Sequence, residues 1–143
     1  MKTDSLPKIS VFNRQRKVTL DREALEDFAR RALAVCARER GVGLTNLPQV
    51  DVVLIADRRI SELHRRFMQI DGPTDVITFQ HGEIFISVET AKRQAKAERT
   101  SLLDELHLYL VHGLLHLHGF DDRQEKDRAR MAALQERIVK SLS

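Results

Sequence analysis

Apolar residues recur along this chain in blocks whose period switches between two and roughly 3.6, and the switches mark the elements. Ile9 and Val11 alternate with polar neighbours across Lys8–Asn13, as in a short strand. Leu25, Phe28, Ala29, Ala32, Leu33 and Cys36 recur at helical spacing, which predicts a helix capped by Asp21 and running to about Arg40. Gly41 and Gly43 would end it. Val50–Ala56 is a nearly unbroken apolar, β-branched run, the pattern of a strand covered on both faces. Asp57 reads as the cap of a short helix reaching about Phe67. Asp75–Gln80 and Glu83–Ser87 read as strands joined by a tight turn at His81-Gly82. Glu89–Ala97 is a short helix. Ser101 and Asp104 have capping-box spacing ahead of a helix that runs to about His118 and stops at Gly119. Gln124–Ser141 closes the chain as a helix with Met131, Leu134 and Ile138 on one side. The order is βαβαββααα. It predicts a single α+β domain over residues 1–143: a small mixed β-sheet with helices packed mainly on one face.

The 101–118 segment is apolar around most of its circumference, so the helix is expected to be buried. One stripe differs. At 100° per residue, His112, Glu105, His116 and Tyr109 fall within about 60° of one another. Buried polar groups need partners, because each unpaired one costs a few kcal/mol. Histidines four residues apart on one helix face can share a metal ion; a hydrogen-bonded pair of core histidines is the alternative. Gly113 follows the first of them, where a larger side chain is expected to crowd the site. His107 and His118 face the opposite way, and nothing around His64 or His81 suggests a ligand. Gly119 lets the chain turn back, so Asp122 can reach the same ion, with Asp121 the competing carboxylate. Either acid could instead cap the helix that starts at Gln124. Two histidines and one carboxylate leave a coordination position open, as catalytic sites do.

Composition narrows the class. The chain has 143 residues, 42% hydrophobic and 31% charged, which excludes wholesale disorder. A single cysteine, Cys36, excludes a disulfide framework and a cysteine-based zinc finger; its neighbours mark it as an inert core thiol. The longest stretch free of Asp, Glu, Lys and Arg is Leu106–Phe120, fifteen residues with four histidines. A membrane span needs about 20 apolar residues. Lys2 and Asp4 precede no apolar run, so no leader is expected and the expected compartment is the cytoplasm. Net charge is only +3, from 24 basic and 21 acidic residues, but 17 of the basic residues are Arg, whose forked donors suit phosphate.

The His112–Asp122 string resembles the signature of the YbeY-type endoribonucleases, H-G-x-L-H-L-x-G-[YF]-D-H. His112, Gly113, Leu115, His116, Leu117, Gly119, Phe120 and Asp121 match in place. Pro73-Thr74-Asp75-Val76-Ile77-Thr78-Phe79 resembles that family's P-T-[DN]-V-L-S-F strand, and Gly82-Glu83-Ile84 its G-D-I. The matches cover about residues 63–122 in the right order. Two segments depart from the pattern. Asp122 stands where the family usually has its third histidine ligand. Met68 stands where it usually has an arginine tied to activity, and His64 replaces an Asn nearby.

The resemblance implies one α+β domain with one zinc ion, or another divalent transition metal, on His112, His116 and Asp122. It implies a single-strand-specific, metal-dependent endoribonuclease in ribosomal RNA processing, with 16S rRNA maturation and ribosome quality control as its setting. RNA and the ribosomal subunit would be the partners, with no membrane. Arg65 and Arg66 are the candidate phosphate contacts in place of the missing arginine, with a solvated helix face the favoured alternative for the two, and a basic groove is expected from Arg58, Arg59, Arg65, Arg66 and Arg123. Two rivals stand beside this reading. One is a ribosome-associated metal-binding protein without strong nuclease activity, which Met68 keeps in view. The other is a metallopeptidase, which is weaker because Gly113 takes the place of the general-base Glu of H-E-x-x-H.

Overall fold

The computed structural model describes residues 6–143; Lys2 and Asp4 lie outside the described residues. Four strands form one sheet: β1 (Lys8–Asn13), β2 (Gln49–Ile55), β3 (Val76–Phe79) and β4 (Glu83–Ser87). Their spatial order is β1-β2-β4-β3, with β1, β2 and β4 parallel and β3 antiparallel to β4 at one edge. The helices are α1 (Arg22–Cys36), α2 (Asp57–Met68), α3 (Val88–Glu98), α4 (Leu102–His118) and α5 (Glu125–Leu142). The element order is the one the pattern predicts. No described helix is long and apolar enough to cross a membrane.

Strand register sorts the side chains. Ile9 pairs with Val50, Val11 with Val52, and Val52 with Ile84, so these residues and Leu54 and Ile86 share one face. That face meets α1, α3, α4 and α5 in the main core. The opposite face carries Val53, Ile55, Ile77, Phe79 and Phe85, and among the described residues α2 covers it through Ile60 and Leu63. β2 is therefore covered on both faces only toward its C-terminal end; at the other end Asp51 stays partly exposed and accepts from Gln49 Nε2 at 2.8 Å. Cys36 is fully buried, and desolvation pushes its thiol up to about 12.

Two boundaries move for tertiary reasons. α1 ends at Cys36 rather than near Arg40, and the Glu39 carbonyl, freed from the helix, accepts a hydrogen bond from His118 Nε2 at 2.9 Å. Asp57 is the first residue of α2 rather than its cap. Its carboxylate instead accepts from Ser87 Oγ at 2.6 Å, Thr90 Oγ1 at 2.7 Å and Arg93 Nη1 at 2.6 Å, while Glu89 accepts the Asp57 N–H at 2.8 Å. Glu89 of α3 thus caps the start of α2, while Asp57 holds Ser87, the N-cap residue of α3.

Gly113 also has a different role from the expected one. A Cβ there would sit 2.6 Å from Ile84 Cγ2, so the glycine faces the sheet and lets α4 lie close against β4. α4 carries both halves of its capping box, with Asp104 N–H donating to Ser101 Oγ at 3.0 Å and Ser101 N–H to Asp104 Oδ2 at 3.4 Å.

Candidate metal centre

α4 sets the position of two imidazoles. His112 and His116 lie one turn apart on its partly exposed stripe, with their Nε2 atoms 3.1 Å apart. The Nδ1–H of His112 donates to Gln135 Oε1 of α5 at 2.9 Å, which leaves its Nε2 lone pair facing His116. Burial, and next the neighbouring His112, hold the His116 ring below the ordinary histidine range, against the pull of Asp122 and the Phe120 carbonyl. Both effects favour the neutral form of His116, the one that a metal requires.

Gly119 ends α4 at a φ of 116°, in the left-handed region, and the Phe120 N–H returns to the Leu115 carbonyl at 3.0 Å. The reversed chain delivers Asp122, whose Oδ2 lies 3.6 Å from His112 Nε2 and 3.5 Å from His116 Nε2. Asp121 does not compete. Its carboxylate turns back on Arg123, accepting the backbone N–H at 2.8 Å and Nη2 at 3.2 Å. Neither acid caps α5, which starts at Glu125 with Gln124 at the N-cap position and no side-chain cap bond.

Three acceptor atoms from His112, His116 and Asp122 thus converge, a group able to hold a metal ion. Ligands at about 2.0–2.1 Å around a tetrahedral centre are separated by roughly 3.3–3.4 Å, and the observed separations of 3.1, 3.5 and 3.6 Å bracket that value. Two lone pairs and a carboxylate at such range repel one another unless a cation or a shared proton lies between them.

The other histidines are engaged elsewhere. His107 stacks on Phe28 with ring centroids 3.7 Å apart, and His118 is buried against the turn after α1. His64 Nδ1 lies 2.9 Å from the Gly72 carbonyl, and His81 Nε2 lies 2.8 Å from Glu83 Oε1. Glu105 and Tyr109 share the stripe but are buried, about two turns and one turn from His112 toward the start of α4.

A groove of about 340 Å³ opens over the three ligands. The free edge of β3 forms one wall, with Thr74, Asp75, Val76, Thr78 and Gln80, and Met68 from the end of α2 adds to it. The expected basic lining is not there. Among the described residues, none of the side chains lining this groove is Lys or Arg. Arg59 pairs with Glu62 at 3.1 Å, Arg123 with Asp121, and the Arg66 guanidinium lies 5.4 Å from the Phe67 ring centre. Arg58 and Arg65 are also on the exposed side of α2. The apolar positions of α2 face the sheet, so its arginines point to solvent and only Met68, the last residue of the helix, turns into the groove. Sequence reasoning passed over Gln135 and Arg128. Gln135 sits on a half-buried α5 position that nothing local distinguishes, and Arg128 Nη1 reaches the Asp122 carbonyl at 3.4 Å only because α5 folds back.

A small α+β protein with a His-His-Asp cluster at the edge of its sheet is the class that fold and site define. The model of the family described as endoribonuclease YbeY matches residues 10–143. The chain is 40% identical over 122 residues to an endoribonuclease YbeY of Thermus thermophilus, covering 77% of this chain and 86% of that one. It is 36% identical over 123 residues to the Gluconobacter oxydans endoribonuclease YbeY, covering 82% and 73%. The solution structure of TM1509 from Thermotoga maritima superposes with a TM-score of 0.66 at 24% identity over 94% of this chain and 88% of that one, which bears on the fold. The chain belongs to the endoribonuclease YbeY family.

Proposed function

We propose that this chain is a metal-dependent endoribonuclease that cuts phosphodiester bonds of ribosomal RNA, through one catalytic domain spanning residues 1–143. The observation that carries the reading is the convergence of His112 Nε2, His116 Nε2 and Asp122 Oδ2 under an open groove, in a chain of this family. His112, His116 and Asp122 would hold one zinc ion or another divalent transition metal. Such an ion, when bound, supplies Lewis acidity toward a phosphoryl oxygen and lowers the pKa of a coordinated water. Gln135 fixes the His112 tautomer, and burial keeps His116 unprotonated. The β3 edge positions the strand: Asp75 and Ile77 pair inward with β4, so the Thr78 backbone groups face outward, free to hydrogen-bond an extended RNA segment. Arg65 and Arg66, just before Met68, are the candidate phosphate contacts where the strand leaves the groove. A single-stranded substrate, 16S rRNA maturation and ribosome quality control as the setting, the ribosomal subunit as partner and a cytoplasmic location complete the proposal.

Met68 favours a second reading, a ribosome-associated metal-binding protein without strong nuclease activity, because it leaves the groove without a cationic side chain. A peptidase is disfavoured: Gly113, at the general-base position, is pressed against Ile84. Metal analysis together with cleavage of unstructured and duplex ribosomal RNA fragments separates the readings. The expected result is about one metal per chain and cleavage of the unstructured fragments, with both lost in His116→Ala. Cleavage by a metal-free His112→Ala/His116→Ala variant would overturn the metal-dependent reading. A metal-loaded chain that binds the RNA and does not cut it would establish the second.

A further inference from the structure

The groove over the metal centre holds two carboxylates, Asp75 and Asp122, and no lysine or arginine among its lining residues. A polyanion needs counter-charge along its path, so the cations that hold it have to stand outside this groove. A larger cavity, about 440 Å³, lies on the other side of the turn that delivers Asp122. Its floor is apolar, made by Phe120, Ala133 and Leu134, and its rim is basic, made by Arg40 from the turn after α1 and by Arg130 and Arg137 from one face of α5. Glu39 is the one acid there, and Arg137 engages it at 3.7 Å. Arg40 and Arg130 are exposed and have no ion-pair partner among the described residues.

The two sites are built from the same parts. Phe120 lines the cavity and Asp122 the groove, and two residues of chain span at most about 7 Å. On α5, Leu134 lines the cavity while its neighbour Gln135 holds His112. The Phe120 N–H bond to Leu115 fixes the backbone of the turn, and the Phe120 side chain packs, partly buried, against the main core.

We propose that this cavity is an RNA subsite: the base of an unpaired nucleotide packs against Phe120, and the flanking phosphates lie on Arg40 and Arg130. The strand then passes over the Phe120–Asp122 turn into the groove, which deepens the endoribonuclease reading and rests on it. An aromatic face beside guanidinium groups is the usual platform for a single-stranded base, whereas a duplex keeps its bases stacked and would present only phosphates.

The test is a salt series of binding to a short, unstructured RNA made cleavage-resistant by 2′-O-methyl groups, with cleavage of the unmodified RNA measured in parallel. Arg40→Gln/Arg130→Gln is expected to weaken binding about tenfold at low salt. Two lost contacts should flatten the slope of log affinity against log salt by about 1.4, at roughly 0.7 per single-strand phosphate. The loss should fall on KM rather than kcat, with metal content unchanged, and Arg40→Lys/Arg130→Lys should restore the slope. Phe120→Leu, which keeps an apolar side chain against the core, is expected to weaken binding about fivefold or more with no change in slope. An Arg40→Gln/Arg130→Gln variant with the parent slope and KM, in a chain that cleaves RNA, would overturn the subsite and leave the endoribonuclease reading standing. A metal-loaded parent that neither binds nor cleaves RNA would overturn both. Metal loss or a lower kcat with an unchanged slope would assign these arginines a structural role and overturn the subsite.

Discussion

Glu105 is a carboxylic acid placed in the core. Burial raises its pKa most, the Tyr109 and Thr100 hydroxyls partly offset this, and the charges of Glu98 and Asp75 push it further up. An acid whose folded-state pKa exceeds its unfolded value resists ionisation in the fold. Its cost to stability is absent below the unfolded value, grows as pH rises to the folded one, and is complete above that. Glu105→Gln is therefore expected to unfold at higher denaturant than the parent at pH 7, with the difference closing as pH falls below about 4. Coincident midpoints at both pH values would contradict the sign. Met68 is the other residue that departs from its surroundings, an apolar side chain in the wall of the groove. Met68→Arg should add one phosphate contact, steepening the salt slope of RNA binding by about 0.7 and lowering KM. An unchanged slope would mean that the substrate does not pass this wall.

The histidine stripe was legible because one helix repeats every 3.6 residues and both ligands sit on it; spacing alone places them together. Spacing left Asp121 as a competitor for the third candidate ligand, and the family pattern put Asp122 there. Once Gly119 reverses the chain, the Arg123 N–H captures Asp121 and the Asp122 carboxylate lies beside both imidazoles. Gly113 shows the same limit for α4 as a packing unit. Its place beside His112 suggested the site, but its Cα direction is set by the contact with β4. Gly113→Ala gains about 1 kcal/mol of helix propensity and meets a buried, branched Ile84 that cannot swing aside. Overpacking of this kind typically costs about 1–3 kcal/mol, so a net loss of roughly 1 kcal/mol in chemical denaturation is expected. Adding Ile84→Val should return part of it; if the two changes were simply additive, the α4–β4 contact would not be the cause.

At the scale of the molecule, the candidate metal centre lies outside the core that holds the fold. The main core joins α1, α3, α4 and α5 to one face of the sheet, and His112, His116 and Asp122 stand at its margin, partly exposed. A chain of this length buries roughly two thirds of its unfolded surface without help from an ion. Chelation should therefore lower the melting temperature by removing binding free energy while leaving one cooperative transition. A random-coil far-UV spectrum after chelation would show that the ion is structural.

The order of elements, the α+β class, the buried cysteine and the pairing of the two candidate histidine ligands on one helix face all follow from local periodicity, capping and composition, which the chain carries in its own spacing. Four things did not. These are the capping of α2 by α3, the early end of α1, the choice of Asp122 over Asp121, and the absence of arginines from the groove. The first, second and fourth depend on which residues distant in sequence share a surface; the third depends on the local geometry of the turn after Gly119. Arg58, Arg59, Arg65 and Arg66 were close to the site along the chain, yet α2 buries Ile60 and Leu63 against the far face of the sheet and turns them to solvent. Arg40, Arg130 and Arg137 were scattered along it and meet in one cavity, because the turn after α1 and the returning α5 pack on the same end of α4. Periodicity fixes which face of a helix is buried; only the packed sheet decides what the other face looks out upon.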